Sequence, residues 1–319
     1  LAANLRPGDE LLAPAGKPYD TLEEVIGIRP SNGSLAEYGI SYSQVDLLAD
    51  GTFDYENIKK AINDKTKMVA IQRSKGYQTR PSFSVKQIGE LITFVKGIKP
   101  DLVCMVDNCY GEFTEKLEPT DVGVNVVCGS LIKNPGGGLC ETGGYIAGDS
   151  KIIKLCSEKL TCPGIGKECG ATLDQNRNIL QGLFMAPSIV KNAMMSAVFA
   201  AKMLEEQGFD VYPSAFDKRS DIVQAIKFND KDKLITFIQQ IQNESPIDSH
   251  VTPEPWAMPG YDDDVIMAAG TFIEGASIEL SADSPIRAPY VAYMQGGLTY
   301  ESAKLAICSA VSKIISREK

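Results

Sequence analysis

Two short strings put reactive side chains where chemistry can use them. In CMVDNCYGEF an apolar run ends on Asp107. In NVVCGSLIKNPGGGL the next apolar run leads through Ser130 to Lys133. If both runs are neighbouring parallel strands, Asp107 and Lys133 project from the same carboxyl-terminal rim, where open α/β sheets bind ligands. A lysine amine there can form a Schiff base with an aldehyde cofactor and later move protons. A carboxylate beside it can keep a pyridine nitrogen protonated, so that the ring acts as an electron sink. That is the pair pyridoxal phosphate needs, together with donors for its phosphate, an aromatic on its ring and an arginine for a substrate carboxylate.

Each residue also has a plainer reading. An aspartate at a strand end is commonly a turn or cap residue, and a lysine before glycines is commonly on the surface. Against this, the Asn-Pro-Gly-Gly-Gly run after Lys133 shapes a tight loop and lets a bulky group approach the backbone. Crowding of that kind is expected to make the amine lose its proton more readily than in water. No Walker signature is present. GIGKECG at Gly164 imitates a dinucleotide fingerprint, with the wrong spacing and no strand before it.

The elements that must position these residues alternate. Strands are expected over 10–13, 67–71, 102–107 and 124–128, a short glycine-bounded one over 143–148, and helices over 55–63 and 85–97. Alternation predicts βαβ units and a mainly parallel sheet covered by helices. A long helix is expected over 187–207, with Gly208 as its C-cap and Met194 and Met195 in its core face. Beyond it the pattern changes to a strand over 221–228, a helix over 230–242, a strand over 278–281 and a final helix over 299–315. The division expected is a large domain over 1–186 and a smaller α+β domain over 187–319.

Composition narrows the field. The chain has 319 residues, 44% of them hydrophobic, and a net charge of −9. It has no block of Lys and Arg, which argues against a nucleic-acid partner. Eight cysteines form no CxxC pair and His250 is the only histidine. Neither a zinc site nor a Ser-His-Asp triad is expected. Cysteines inside apolar runs suit a reducing cytoplasm. No uninterrupted apolar run has the ~18–20 residues that span a bilayer, so no membrane partner is expected. The opening LAANLRPGDELL reads like the end of a helix followed by a strand, and an N-terminal part of the native protein is expected to be missing.

The strings GKPYDTLEEVIG, QRSKGYQTRPS, VDNCYGEF, GSLIKNPGGGL, TGGYIAG, PGIGKECG and SADSPIRAPYVAYMQGGLTYE run in order over nearly the whole chain. They resemble the pyridoxal-phosphate-dependent carbon–sulfur lyase-like family called aluminium resistance proteins. That family is similar to cystathionine and methionine lyases and is often labelled a methionine gamma-lyase or cystathionine beta-lyase relative. The resemblance implies the type I fold shared with aspartate aminotransferase, a small amino-acid substrate, and a homodimer or homotetramer.

By that resemblance Lys133 is the Schiff-base lysine and Asp107 the partner of the ring nitrogen. Ser130 matches a phosphate-binding serine. Tyr19 falls where relatives place a tyrosine that stacks on the ring and can protonate the leaving group. A packed strand-end tyrosine is its alternative. Arg287 falls near the relatives' carboxylate-binding arginine, with a structural ion pair as the alternative. Arg73 and Arg80 are rivals for the same role. Two departures stand out. Ile132 replaces the hydroxyl residue that relatives often have before the lysine, and their upstream Ser-Gly-Thr phosphate loop has no counterpart in this sequence. Transamination or racemisation on the same scaffold is an alternative activity. So is a binding role in metal tolerance, for which Asp262, Asp263 and Asp264 form the one tight acidic run.

Overall fold

The structure, a computed structural model, describes residues 1–316. Its first half builds a six-stranded sheet. In chain order this half runs β1 (Glu10–Ala13), α1 (Leu22–Ile26), β2 (Ser41–Gln44), α2 (Tyr55–Ala61), β3 (Thr66–Gln72) and α3 (Val85–Ile98). It continues with β4 (Val103–Asp107), β5 (Val126–Ser130), β6 (Gly144–Gly148) and α4 (Ser150–Leu160). The sheet order is β2-β1-β3-β4-β5-β6. All neighbours are parallel except β5 and β6, which run antiparallel.

Helix α3 shows why these residues fold this way. Ser84 caps its N-terminus and exchanges hydrogen bonds with Gln87, satisfying donors the first turn leaves open. Val85, Ile88, Leu91, Ile92 and Val95 recur at helical spacing and are buried, the last four against Val69, Ile71, Cys104 and Val106 of the sheet. Each fully buried aliphatic side chain contributes about 1.5–3 kcal/mol. Leu91→Ala would cost about 2–5 kcal/mol.

The second half is carried by α5 (Asn176–Glu206), followed by β7 (Asp210–Tyr212), β8 (Gln224–Lys227), α6 (Lys231–Asn243), β9 (Val265–Ala268), β10 (Ser281–Pro285), β11 (Val291–Gln295) and α7 (Tyr300–Ser316). The strands form a five-stranded antiparallel sheet in the order β7-β8-β11-β10-β9. Helices α5, α6 and α7 share one core with it, centred on Leu204, Ile226, Phe237, Ile266, Met294 and Ile307.

Several expectations shift here. Helix α5 starts well before residue 187 and continues through Pro187, so the expected division after residue 186 falls inside it. It serves both halves: Gly182 packs on the 136–137 backbone and Ala200 and Leu204 enter the small-sheet core. Its length and composition are also enough to cross a bilayer, although Lys191 interrupts the apolar run. The strand expected over 278–281 is largely loop. There the Glu279 carboxylate accepts from the amides of Phe272 and Ile273 and from the Ser277 hydroxyl. The strand forms one step later, as β10. Strand β2 (SYSQ) is a polar edge strand with no apolar signal to announce it.

A buried ion pair joins the halves. Lys75, 1% exposed, faces Asp221 at 3.6 Å and donates to the Val223 carbonyl at 3.0 Å. Ser74 donates to the same carboxylate at 2.9 Å. Burial pushes the Lys75 amine down while Asp221 pulls it back up.

Candidate active site

Four loops leave the carboxyl ends of β1, β3, β4 and β5 on one rim. They carry Tyr19, the 73–80 segment, the 108–112 segment and Lys133. Asp107 is the last residue of β4 and pairs with Gln72 on one side and Cys128 on the other. Its carboxylate accepts from the Cys109 amide at 3.1 Å, an Asx turn that fixes it at the rim. Lys133 follows the end of β5, and its amine lies 4.1 Å from the centre of the Tyr110 ring. The main chain at Ile132 accepts from the Ile278 amide at 3.1 Å, so the lysine loop is tied to the segment entering the small sheet.

The charge on Lys133 runs opposite to the sequence expectation. Burial works against the ammonium, but Tyr110, Cys109 and Asp107 more than offset it and the amine is held above its ordinary value. Burial also pushes the Tyr110 phenol and the Cys109 thiol up, so both stay neutral near pH 7. The glycine run likewise has a different cause. A Cβ on Gly137 would strike the Gly182 carbonyl of α5, and one on Gly138 would strike Leu298. The groups that approach this backbone are α5 and Leu298 of the protein itself.

Tyr19 faces the same space from the β1 loop. Its hydroxyl shares a 2.6 Å hydrogen bond with that of Tyr261, and its ring centre is 5.8 Å from that of Tyr77. Tyr77 in turn lies 5.1 Å from Tyr293. Burial first, then its bond to Tyr261, pushes the Tyr19 phenol far above its ordinary value. Asp283 of β10 is buried against this cluster, and its carboxyl is pushed up to about 7 by burial, with Tyr77 and Lys133 pulling the other way. Ser130, the end of β5, is partly buried on the rim.

The arginines separate. Arg73 has no exposed surface. It binds Glu115 at 2.9 Å and Asn108 at 2.7 Å, with Glu118 at 3.5 Å, so it is built into the fold and is not brought to the site. Arg80 donates to the Gln72, Ser74 and Pro81 carbonyls and holds its own loop. Arg287 is half exposed and pairs with Asp263 at 3.0 Å. It lines a cleft of about 300 Å³ with Tyr77, Pro285 and Tyr293. It is thus at the mouth of the tyrosine cluster.

Sequence reasoning missed Tyr77, Tyr110, Tyr261 and Asp283. Asp283 had a signal: a carboxylate inside SADSP, a strand of small residues that are all buried. The three tyrosines come together only through the fold.

The donor set suits pyridoxal phosphate: an amine for its aldehyde, a strand-end carboxylate for its ring nitrogen, a hydroxyl for its phosphate and phenols for its ring face. The comparisons agree. Residues 1–315 match the methionine gamma-lyase family. The uncharacterized protein YnbB of Bacillus subtilis is 57% identical over 316 residues, covering 98% of this chain and 75% of that protein. The structure of a carbon–sulfur lyase involved in aluminium resistance from Clostridium novyi is 52% identical with a TM-score of 0.94, covering 98% of this chain and 74% of that one. Cystathionine gamma-lyase from Lactobacillus plantarum, complexed with L-serine, is 14% identical with a TM-score of 0.65, covering 98% of this chain and 78% of that one. At that identity it carries the fold alone. The match over residues 1–315 thus makes this chain a member of the methionine gamma-lyase family, and its mostly parallel sheet with a second antiparallel sheet is the type I pyridoxal-phosphate transferase fold.

Proposed function

We propose that the protein is a pyridoxal-phosphate-dependent carbon–sulfur lyase acting on a sulfur-containing amino acid, of the methionine gamma-lyase or cystathionine beta-lyase kind. The observation that carries this reading is Lys133 following β5 and Asp107 ending the adjacent β4 on one rim, with the Lys133 amine over the Tyr110 ring and Tyr19 in a phenol cluster on the same rim. The cofactor, when bound, would supply an aldehyde for the lysine and a sink for the electrons left at Cα.

The chain's own residues do the rest. Lys133 would hold the cofactor, and its Nζ would take the Cα proton. Asp107 would face the ring nitrogen and favour its protonated form. Ser130 would donate to the phosphate. Arg287, freed from Asp263, grips the substrate α-carboxylate as a bidentate partner. Tyr19 gives a proton to the departing sulfur. The buried phenols around it keep water from competing for that step.

The metal-tolerance alternative gains little from the acidic run. Asp262 pairs with Arg29 at 3.0 Å and Asp263 pairs with Arg287, so two of the three carboxylates already have cationic partners. Transamination and racemisation need the same lysine and aspartate. They are separated from elimination by the products. Release of a thiol and a keto acid with ammonia supports the lyase reading. Transfer of the amino group, or loss of optical activity without thiol release, overturns it. A homodimer or homotetramer is proposed as the working assembly.

A further inference from the structure

Residues 220–223 lead into β8 of the small sheet, yet their partners lie on the rim of the large one. Asp221 is 1% exposed, and its carboxylate holds the loop after β3 at two places. The Ser74 hydroxyl donates to it at 2.9 Å, and the Lys75 ammonium stands 3.6 Å away. Lys75 also donates to the Val223 carbonyl at 3.0 Å. The carboxylate accepts from the Val223 amide at 3.1 Å, which fixes its direction. The same segment holds the loop after β4. The Ile222 amide donates to the Tyr110 carbonyl at 3.2 Å, and the Thr114 hydroxyl donates to the Ser220 carbonyl at 3.2 Å. Val223 is buried in one cluster against which Tyr77 and Tyr110 both pack.

The two loops carry different parts of the candidate site. The loop after β4 presents the Tyr110 ring, whose centre is 4.1 Å from the Lys133 amine. The loop after β3 presents Gly76 and Tyr77 to Tyr19. Gly76 has a φ of 55°, and a Cβ on it would lie 3.2 Å from Tyr19 Cδ2. The Tyr19 ring therefore rests directly on that main chain, with the Tyr77 ring centre 5.8 Å from its own. Lys133 and Tyr19 are each seated on a loop that residues 220–223 grip. Resting on the lyase reading above, we propose that Asp221 is a positioning residue for the elimination. With Lys75 as its buried counter-ion it clasps the loops after β3 and β4 to one another, and so sets Tyr19 at a fixed reach from Lys133.

The reaction gives such a clasp its use. Lys133 takes a proton from Cα and Tyr19 gives one to sulfur, so both must meet one substrate in one geometry, and a misplacement of about 1 Å can cost about 10²-fold in rate. Stability alone does not call for a buried ion pair, because well-packed apolar residues of similar volume often hold a fold as well. Apolar side chains lack the directional bonds that Asp221 makes with Ser74 and Val223. The root of the loop after β3 is fixed separately: Arg80 donates to the Ser74 carbonyl at 2.6 Å and to the Gln72 carbonyl at 2.9 Å. Asp221 thus adds the tie to the other half of the molecule. Arg219 has its own partner, Gln224 at 2.6 Å.

Three variants test this. Asp221→Asn removes the charge and leaves Lys75 buried without it. Lys75→Met combined with Asp221→Leu removes both charges and should melt near the wild-type temperature. Ser74→Ala deletes one bond and leaves the ion pair. Amide hydrogen exchange is followed on the full chain, with and without pyridoxal phosphate. Peptides containing Gln78, Gly111 and Ile222, whose amides are bonded in these loops, should exchange about 10–100-fold faster in the first two variants and less so in Ser74→Ala, while α3 and β5 keep their protection. In the holoenzyme, kcat for thiol release from a cysteine S-alkyl conjugate should fall about 10²-fold in the first two variants, in the double variant despite its intact melting temperature. A double variant that keeps both the melting temperature and the kcat of wild type overturns the proposal, since the pair would then serve the fold alone. Thiol release by the wild type, with unchanged exchange at Gln78 and Gly111 in all three variants, also overturns the clasp and leaves the lyase reading standing. A wild type that releases no thiol overturns the lyase reading and this positioning role with it.

Discussion

The amine of Lys133 lies 4.1 Å from the centre of the Tyr110 ring, and the hydroxyl of that ring accepts from Gln295 Nε2 at 2.9 Å. A residue of β11 in the small sheet thus fixes the ring on which the lysine of the large sheet rests. A cation over such a ring gains about 0.5–2 kcal/mol. Tyr110→Leu removes that support, so the Lys133 ammonium should lose its proton more readily. At a fixed pH near neutrality, trapping of pyridoxal phosphate on Lys133 should be faster by a few-fold to about tenfold. Tyr110→Phe keeps the ring face and should change this rate less. Rates of borohydride trapping in the two variants check it.

Asp107 is expected to contribute a charge-assisted bond of about 1.5–3 kcal/mol to the bound cofactor. Asp107→Asn should weaken binding about 10–100-fold, read by fluorescence titration of the cofactor-free protein. It should also let Lys133 lose its proton more readily, because one of the groups that hold its amine up is gone.

Arg73 and Arg287 should fail in different ways. Arg73→Met leaves Glu115 and Glu118 without their buried cation and should cost about 3–5 kcal/mol of stability. Arg287→Gln breaks a half-exposed pair, should cost under about 1 kcal/mol, and should raise KM with little change in melting temperature. Denaturant curves and steady-state kinetics on both variants separate the two roles.

Glu112 gives a pH dependence to folding. Burial pushes its carboxyl up to about 8, while Tyr145 donates to it at 2.8 Å and its other oxygen has no partner. The folded protein keeps this proton where the unfolded chain has lost it. The favourable balance is therefore complete below about 4.5 and is lost as pH rises through about 8. Glu112→Gln, neutral in both states, should flatten that slope and be the more stable protein at pH 9 by a few kcal/mol, on the order of the raised pKa. Denaturant midpoints across the pH range check the sign.

Much of the large sheet was legible because its strands are short apolar runs separated by helical periods. Strand β1 lies where the pattern puts it, and α3, β3, β4 and β6 differ from expectation by a residue or so at their ends. Asp107 and Lys133 were legible for the same reason, since each closes or follows an apolar run. The small sheet was harder to read. VAYMQ in β11 and SADSP in β10 are buried on every residue, so no alternation marks a face. The role of Arg73 was hidden because its carboxylates lie far along the chain, in the loop after β4. The phenol cluster was hidden because Tyr19, Tyr77 and Tyr261 come from three separate loops. Tyr19 and Tyr261 stand 242 residues apart yet share a hydrogen bond.

The measurement that bears most directly on this account is borohydride reduction of the protein loaded with pyridoxal phosphate, followed by peptide mapping. The account predicts one fluorescent pyridoxyl label, on the peptide containing Lys133, and its loss in Lys133→Ala together with the visible absorption. A label on Lys75 or on surface lysines, with Lys133 unmodified, would contradict it.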